Sequence, residues 1–252
     1  MTQPYSPDNM SEVGVISAAF IDGLKAILAD KLFGVYLYGA IVFPETKYTG
    51  DIDFHVILSD PLAKIERDEI DSLHKNLARD YPPLGKEMDG YYILLEDSRR
   101  KSPPQSQMWK RATDNSWALH REHIRAGKCI VLYGPEPSQL YLPVSWPELE
   151  SALYSELEYV EHHLEMYPAY CVLNLCRLMY SFQKRDVVVS KTAAAIWAEE
   201  NHPQWEEIIE CSRKAYMGKS SDAGQYYMRD NLPELYAFAV QQIELGVASR
   251  DG

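Results

Sequence analysis

Hydrophobic positions fall at Val13, Ile16, Phe20, Leu24, Ile27 and Leu28, the spacing of a single helical face, and predict a helix over 12–31. Gly34 then breaks the chain to a short apolar run, Val35–Tyr38, expected as a strand. A Gly-Ala turn follows. The pattern continues with a second strand over Asp51–Leu58, a charged helix near 62–79 and a third strand near 88–95. The sequence from Arg99 to Gln107, RRKSPPQSQ, is basic and Pro-rich and reads as a loop. Residues 116–126 read as a helix, Cys129–Tyr133 as a further strand, and Gly134-Pro-Glu-Pro137 as a turn.

From about residue 146 the periodicity is helical to the end. Pro147, Pro203 and Pro233 are placed at or near helix starts, where proline is tolerated. The expected fold class is therefore α+β, with a mixed-sheet domain over 1–145 and an all-helical domain over 146–252. A cleft between two such domains is the natural ligand site.

Composition narrows the function more than the fold. Lys and Arg total 25 against 37 Asp and Glu, a net charge of −12 shared equally between residues 1–150 and 151–252. No stretch is basic enough to follow a phosphate backbone, so nucleic acid is not expected as a partner, whereas a cationic small molecule suits the charge. Cys129, Cys171, Cys176 and Cys211 form neither a CxxC pair nor a disulfide framework. The N-terminal residues resemble no signal peptide and no apolar run is long enough for a membrane span, so the cytoplasm is the expected compartment.

The sharpest chemical signal is Tyr36-Leu-Tyr-Gly-Ala40, then ten residues, then Asp51-Ile-Asp53-Phe-His-Val-Ile. Alternation along a strand puts Asp51 and Asp53 on one face, where two carboxylates repel unless a cation neutralises them. Hard oxygen donors favour Mg²⁺, which keeps waters and binds substrate phosphates beside one or two carboxylates. Gly39, lacking a side chain, lets backbone N–H groups approach an anion. Taken together, the pattern points to metal-assisted nucleotidyl transfer.

LYGA(x10)DIDFHVI resembles the Gly-Ser…Asp-x-Asp signature of the polymerase-β-like nucleotidyltransferases. Further segments, in family order, resemble the streptomycin/spectinomycin adenylyltransferases: MDGYYILLED (88–97), DNSWALHREHIRAG (114–127), VLYGPEP (131–137), LNLCRLMYSF (173–182), VSKTAAAIWAEENHPQW (189–205) and SRKAY (212–216). The resemblance implies a nucleotidyltransferase sheet domain followed by a helical bundle. It implies ATP as co-substrate, two Mg²⁺ ions held by Asp51, Asp53 and Asp89, and catalysis by the same three acids. It places Gly39 and Ala40 in the phosphate loop and makes Arg177, Lys191 and Tyr216 further nucleotide contacts. Three positions depart from the family: Ala40 and Gly50 replace serines, and Asp89 stands where Glu is common. Members that accept streptomycin carry a Trp and an Asp just ahead of the Arg-bearing helix. EHHLEMYPAY (161–170) has neither, so spectinomycin is the expected preference.

The residues themselves agree in part. Tyr170, Asn174, Arg177 and Ser181 make one polar stripe on an apolar helix, which reads either as a solvated face or as a ligand-facing one. Ser190 is an N-cap candidate that puts Lys191 in the first helical turn, where the helix dipole disfavours a cation unless an anion binds there. Gly218-Lys-Ser220 follows a helix and lacks the upstream glycine of a P-loop. His120 and His123, one turn apart, lack the companions of a zinc site and read as an amphipathic helix against the loop. His162 and His163 read as surface, and Cys171 and Cys176 as packed small hydrophobes. The expected reaction is AMP transfer from ATP to a hydroxyl of an aminoglycoside-like acceptor, giving antibiotic resistance. The alternatives are adenylylation of a protein and a non-catalytic nucleotide- or drug-binding role.

Overall fold

A computed structural model describes residues 12–44, 51–109, 113 and 115–248. The chain divides into two compact units, with the change at Pro143–Val144. In the first, helix α1 (Glu12–Leu28) buries Ile16, Phe20, Leu24 and Leu28, the stripe its periodicity predicts. Strand β1 (Leu32–Tyr38), strand β2 (Ile52–Leu58), helix α2 (Lys64–Asp80), strand β3 (Met88–Leu94) and the short helix α3 (Leu95–Ser98) follow. Then come α4 (Trp117–Arg125), β4 (Ile130–Tyr133) and the short α5 (Pro137–Leu140). Gly34 lies inside β1, correcting its expected role as a breaker: it pairs with Ile57 beside a register irregularity, and the Tyr36 ring fills the space over its Cα.

Among the described residues the strands form one mixed sheet in the order β3-β2-β1-β4. β1 is antiparallel to both neighbours, while β2 and β3 run parallel, joined through α2. Parallel strands need such a crossover, and the seventeen-residue α2 supplies it. Alternation then sorts the side chains. One face carries Val35, Leu37, Phe54, Val56 and Tyr92, with Phe20 of α1 packed edge-on to Phe54 at 5.0 Å. The other carries Tyr36, Tyr38, Ile57, Tyr91 and Ile93, packed with Trp117 and Ile124 of α4 and with Leu140 and Tyr141.

The second unit is helical: α6 (Trp146–His163), α7 (Pro168–Lys184), α8 (Lys191–Asn201), α9 (Glu206–Tyr216) and α10 (Asp222–Ala248). α7 is its centre, buried at Cys171, Leu175, Cys176, Met179 and Phe182. Pro233 sits within α10, not at a helix start as expected. Helix α10 begins eleven residues earlier, where Ser221 Oγ accepts from Gly224 N–H at 3.1 Å. Burial of Met228, Leu232, Leu235, Ala239 and Ile243 along one face carries the helix through the missing donor. No described helix is long and apolar enough to cross a membrane.

Candidate active site

The face of the sheet that meets α4 is built in rows across three strands. Tyr38, Asp53 and Asp89 are register partners on β1, β2 and β3, so their side chains stand side by side. The next row is Tyr36, His55 and Tyr91, and Ile57 and Ile93 lie beyond it. Carboxylates thus occupy one end of a face that is otherwise aromatic and aliphatic. Neighbouring strands lie about 4.8 Å apart, which brings Asp89 within reach of whatever Asp53 binds. Asp51 is exposed and immediately precedes β2, at the point fixed by the 2.8 Å bond from Ile52 N–H to the Glu87 carbonyl.

Gly39 ends β1 with φ +76°, a conformation that residues with a Cβ rarely adopt. A Cβ built on it would lie 1.8 Å from Asp53 Oδ2, so the Asp53 carboxylate rests directly on the glycine backbone. The chain then makes a 3₁₀ turn over Gly39–Val42, with Phe43 N–H bonding the Ala40 carbonyl at 3.2 Å. Ala40 brings no hydroxyl to that turn. Gly50 lies outside the described residues.

Beneath the acids, Tyr38 Oη is 3.2 Å from His120 Nδ1, and His120 Nε2 is 3.0 Å from Ser116 Oγ. Burial, then the Asp53 carboxylate, with Asp89 a smaller contributor, push the Tyr38 phenol well above its ordinary pKa, so it stays protonated. His55 is fully buried, and burial followed by His120 drives its pKa well down; its Nδ1 is 3.0 Å from Tyr141 Oη. The Tyr36–His55–Tyr91 row is therefore formally neutral. His123 packs edge-on to Phe43, just after the Gly39–Val42 turn, at 6.1 Å.

Hard carboxylate oxygens on adjacent strands suit Mg²⁺. Among the described residues no three His, Cys, Asp or Glu side chains converge into a ready-made cage. That is compatible with Mg²⁺, which takes one or two carboxylates and completes its shell with waters and phosphate. Asp53 and Asp89, with Asp51 at the start of β2, fit such a role.

In the helical unit, two residues expected around the nucleotide, Lys191 and Tyr216, come together beside Tyr170. Lys191 Nζ lies 4.3 Å from the Tyr170 ring centroid and 5.8 Å from that of Tyr216. Ser190 is the N-cap of α8, its Oγ accepting from Ala193 N–H at 2.9 Å, so Lys191 is the first helical residue. Arg213 holds both Glu199 oxygens at 2.8 and 3.0 Å, and Ser212 Oγ donates to the Ala169 carbonyl at 2.6 Å. These bonds tie α9, and with it Tyr216, to α8 and to the start of α7.

Arg177 lies 3.8 Å from Glu156 of α6. The stripe on α7 is not a solvated face: Asn174 and Ser181 are each 1% exposed, and Tyr170 and Arg177 are half-buried. Burial, then Glu156, push the Tyr170 hydroxyl up to about 12. Sequence reasoning placed Tyr170 on the polar stripe of α7 but left out Glu156, whose contact with Arg177 comes from another helix. Gly218-Lys-Ser220 proves to be a helix stop, with Gly218 at φ +70° and Lys219 N–H bonded to the Lys214 carbonyl.

Residues 139–242 match the family model described as the aminoglycoside adenylyltransferase C-terminal domain. No curated protein sequence matches the chain. Among solved structures, the fold is similar to that of the spectinomycin adenyltransferase AAD(9) from Enterococcus faecialis, crystallised with ATP and spectinomycin. The TM-score is 0.72 at 15% identity, covering 91% of this chain and 98% of that one. At that identity the likeness establishes the fold. A toxin–antitoxin structure with AMP-PNP aligns at a TM-score of only 0.30, 17% identity, 59% of this chain and 90% of that one, too low to carry an argument.

Proposed function

We propose that this chain transfers AMP from ATP to a hydroxyl of a cationic aminoglycoside-like acceptor, releasing pyrophosphate, a reading supported by the match of residues 139–242 to the aminoglycoside adenylyltransferase C-terminal domain. The observation that carries the reading is the register pairing of Asp53 with Asp89, one step from the Gly39 turn. AAD(9), which shares the fold, was crystallised with ATP and spectinomycin, and that supports both ligands here.

The division of labour follows from chemistry. Asp51 and Asp53, with Asp89 as a third ligand, would hold Mg²⁺, which when bound shields phosphate charge and stabilises the in-line transition state. Asp89 is also the acid from which a base can act: it would take the proton of the acceptor hydroxyl as that oxygen bonds to the α-phosphorus and the bond to pyrophosphate breaks. In the sheet unit the Gly39–Ala40 turn would offer backbone N–H groups to phosphate; in the helical unit Lys191 and Arg177 would hold phosphate oxygens and Tyr216 would add a nucleotide contact. A residue set without the Trp and Asp of streptomycin acceptance favours spectinomycin. Modification of such drugs makes the enzyme one of antibiotic resistance.

The test is pyrophosphate release with Mg-ATP across a panel of aminoglycosides and spectinomycin, with mass spectrometry of the acceptor. A gain of one AMP on a small acceptor supports the reading. AMP found only on protein, or no turnover with any acceptor, overturns it. Resistance to streptomycin alone in a host expressing the chain overturns the acceptor preference.

A further inference from the structure

Tyr38 is the last residue of β1 and the register partner of Asp53, so the two side chains share one end of the sheet face. Directly opposed residues on antiparallel strands have Cβ atoms about 4.5–5.5 Å apart, and the Asp53 charge is felt at the phenol. Tyr38 is only 6% exposed, so its hydroxyl must find its partner within the protein. A phenol beside a carboxylate would ordinarily donate to it, a charge-assisted bond stronger than one between neutral groups. The Tyr38 hydroxyl instead meets His120 Nδ1 of α4 at 3.2 Å. His120 is held in turn by Ser116 Oγ, 3.0 Å from Nε2, and its ring packs on that of Tyr38 at 5.1 Å.

We propose that His120 is a positioning residue that holds the Tyr38 hydroxyl away from Asp53 and so keeps that carboxylate's oxygens for Mg²⁺. The inference rests on the adenylyl-transfer reading above. It assigns His120 the tautomer protonated at Nε2: Nε2–H donates to Ser116 Oγ, and Nδ1 accepts from the Tyr38 hydroxyl. A carboxylate oxygen that accepts a phenol proton has less charge to offer a metal. Mg²⁺ takes only one or two carboxylates, so the loss of one is not made good by a larger cage. The His55 ring packs on Tyr38 at 4.8 Å and limits how the phenol can turn, so removing His120 leaves the register-paired Asp53 as the acceptor at hand. His120 thus acts through Tyr38 on the metal ligand, and takes no part in the bond changes at phosphorus.

His120→Phe keeps a ring in place and removes the acceptor. Two readouts apply to the full chain: Mn²⁺ binding, followed by the free-ion signal in electron paramagnetic resonance, and the Mg²⁺ concentration for half-maximal AMP transfer. Both should weaken about 10- to 100-fold in His120→Phe, the worth of a hydrogen bond to a charged group that the metal must now displace. Tyr38→Phe, which lacks the competing proton, should match the wild type in both. The double variant should regain wild-type values, a rescue by a second deletion that a merely structural contact does not give. His120→Asn sets an amide oxygen on the same side of the residue and should keep most of the metal affinity, which separates loss of the acceptor from loss of the fold. Unchanged metal dependence in His120→Phe overturns the proposal. So does a double variant no better than His120→Phe alone, or weakened metal binding in Tyr38→Phe. If the wild type adenylylates no acceptor, the adenylyl-transfer reading fails first, and the Mn²⁺ titration still reads the role of His120.

Discussion

Gly39→Ala is a direct test of the contact on which the acidic end of the sheet is built. Two costs arise. A non-glycine residue in the left-handed region at φ +76° costs about 1–2 kcal/mol. The new Cβ would also stand 1.8 Å from Asp53 Oδ2, where ordinary van der Waals contact begins at 3.4 Å, so carboxylate and backbone must separate by about 1.6 Å. The backbone cost should lower the melting transition of the sheet unit by roughly 2–8 °C.

The displacement matters more for turnover. A misplacement of about 1 Å in a catalytic constellation can cost about 100-fold. AMP transfer should therefore fall by at least about that factor while the variant remains folded at 25 °C. The assay is kcat from pyrophosphate release alongside a thermal melt by circular dichroism. A Gly39→Ala enzyme that turns over within about threefold of wild type would show that Asp53 need not sit where it does, and the metal-ligand assignment would fall with it.

The remaining predictions follow from other groups. Asp51→Asn or Asp53→Asn should abolish AMP transfer with the melting temperature unchanged or slightly raised, since like-charge repulsion is relieved; near wild-type turnover in either removes it from the metal site. Asp89→Asn should cut kcat by about 10²–10⁴ with ATP affinity nearly kept, and Asp89→Glu should retain measurable activity; equal rates for Asn and wild type would make Asp89 a turn residue only. Lys191→Ala should weaken ATP binding by roughly 1.5–3 kcal/mol in calorimetry with little change in the nucleotide-free melting temperature, and unchanged affinity would refute the phosphate role. His74, bonded through Nε2 to Tyr92 Oη at 2.8 Å, has its pKa pushed down to about 4 by burial. The unfolded chain takes up that proton first, so stability is full above about pH 6.5 and is lost as pH falls toward 4, by about 3 kcal/mol for this residue. Urea melts of wild type and His74→Gln across that range should show a shallower slope in the variant.

Much of this was legible because its cause is local. Alternation along β2 put Asp53 on the face it shares with His55, while Asp51 stands one residue before the strand, and the Ser190 cap of α8 announced a cation in a first helical turn. What the sequence could not express is pairing across distance. Tyr38 and His120 lie 82 residues apart, and nothing in either segment marks them as partners. The stripe on α7 was visible, yet its burial depends on what packs over it, so a solvated face and a ligand-facing one look alike until α8 and α9 are placed. Pro233 misled for a related reason: the packing of α10 outweighs a local rule worth about 3 kcal/mol.

Broken local rules are therefore informative only when sorted by what repairs them. Pro233 and Gly34 are repaired by packing alone, since buried apolar neighbours on α10 and the Tyr36 ring make good what the backbone loses. Asp53 and Asp89 at the end of buried strands and Lys191 at a helix start differ in kind. Each places formal charge where hydrophobic burial or the helix dipole opposes it, and apolar packing raises that cost. The acids of the sheet favour a cation, and the bases of α7 and α8 favour an anion. Apolar packing can repair a backbone irregularity but only deepens the cost of a buried charge, so the charge-bearing positions are where the proposed transfer is first to be tested.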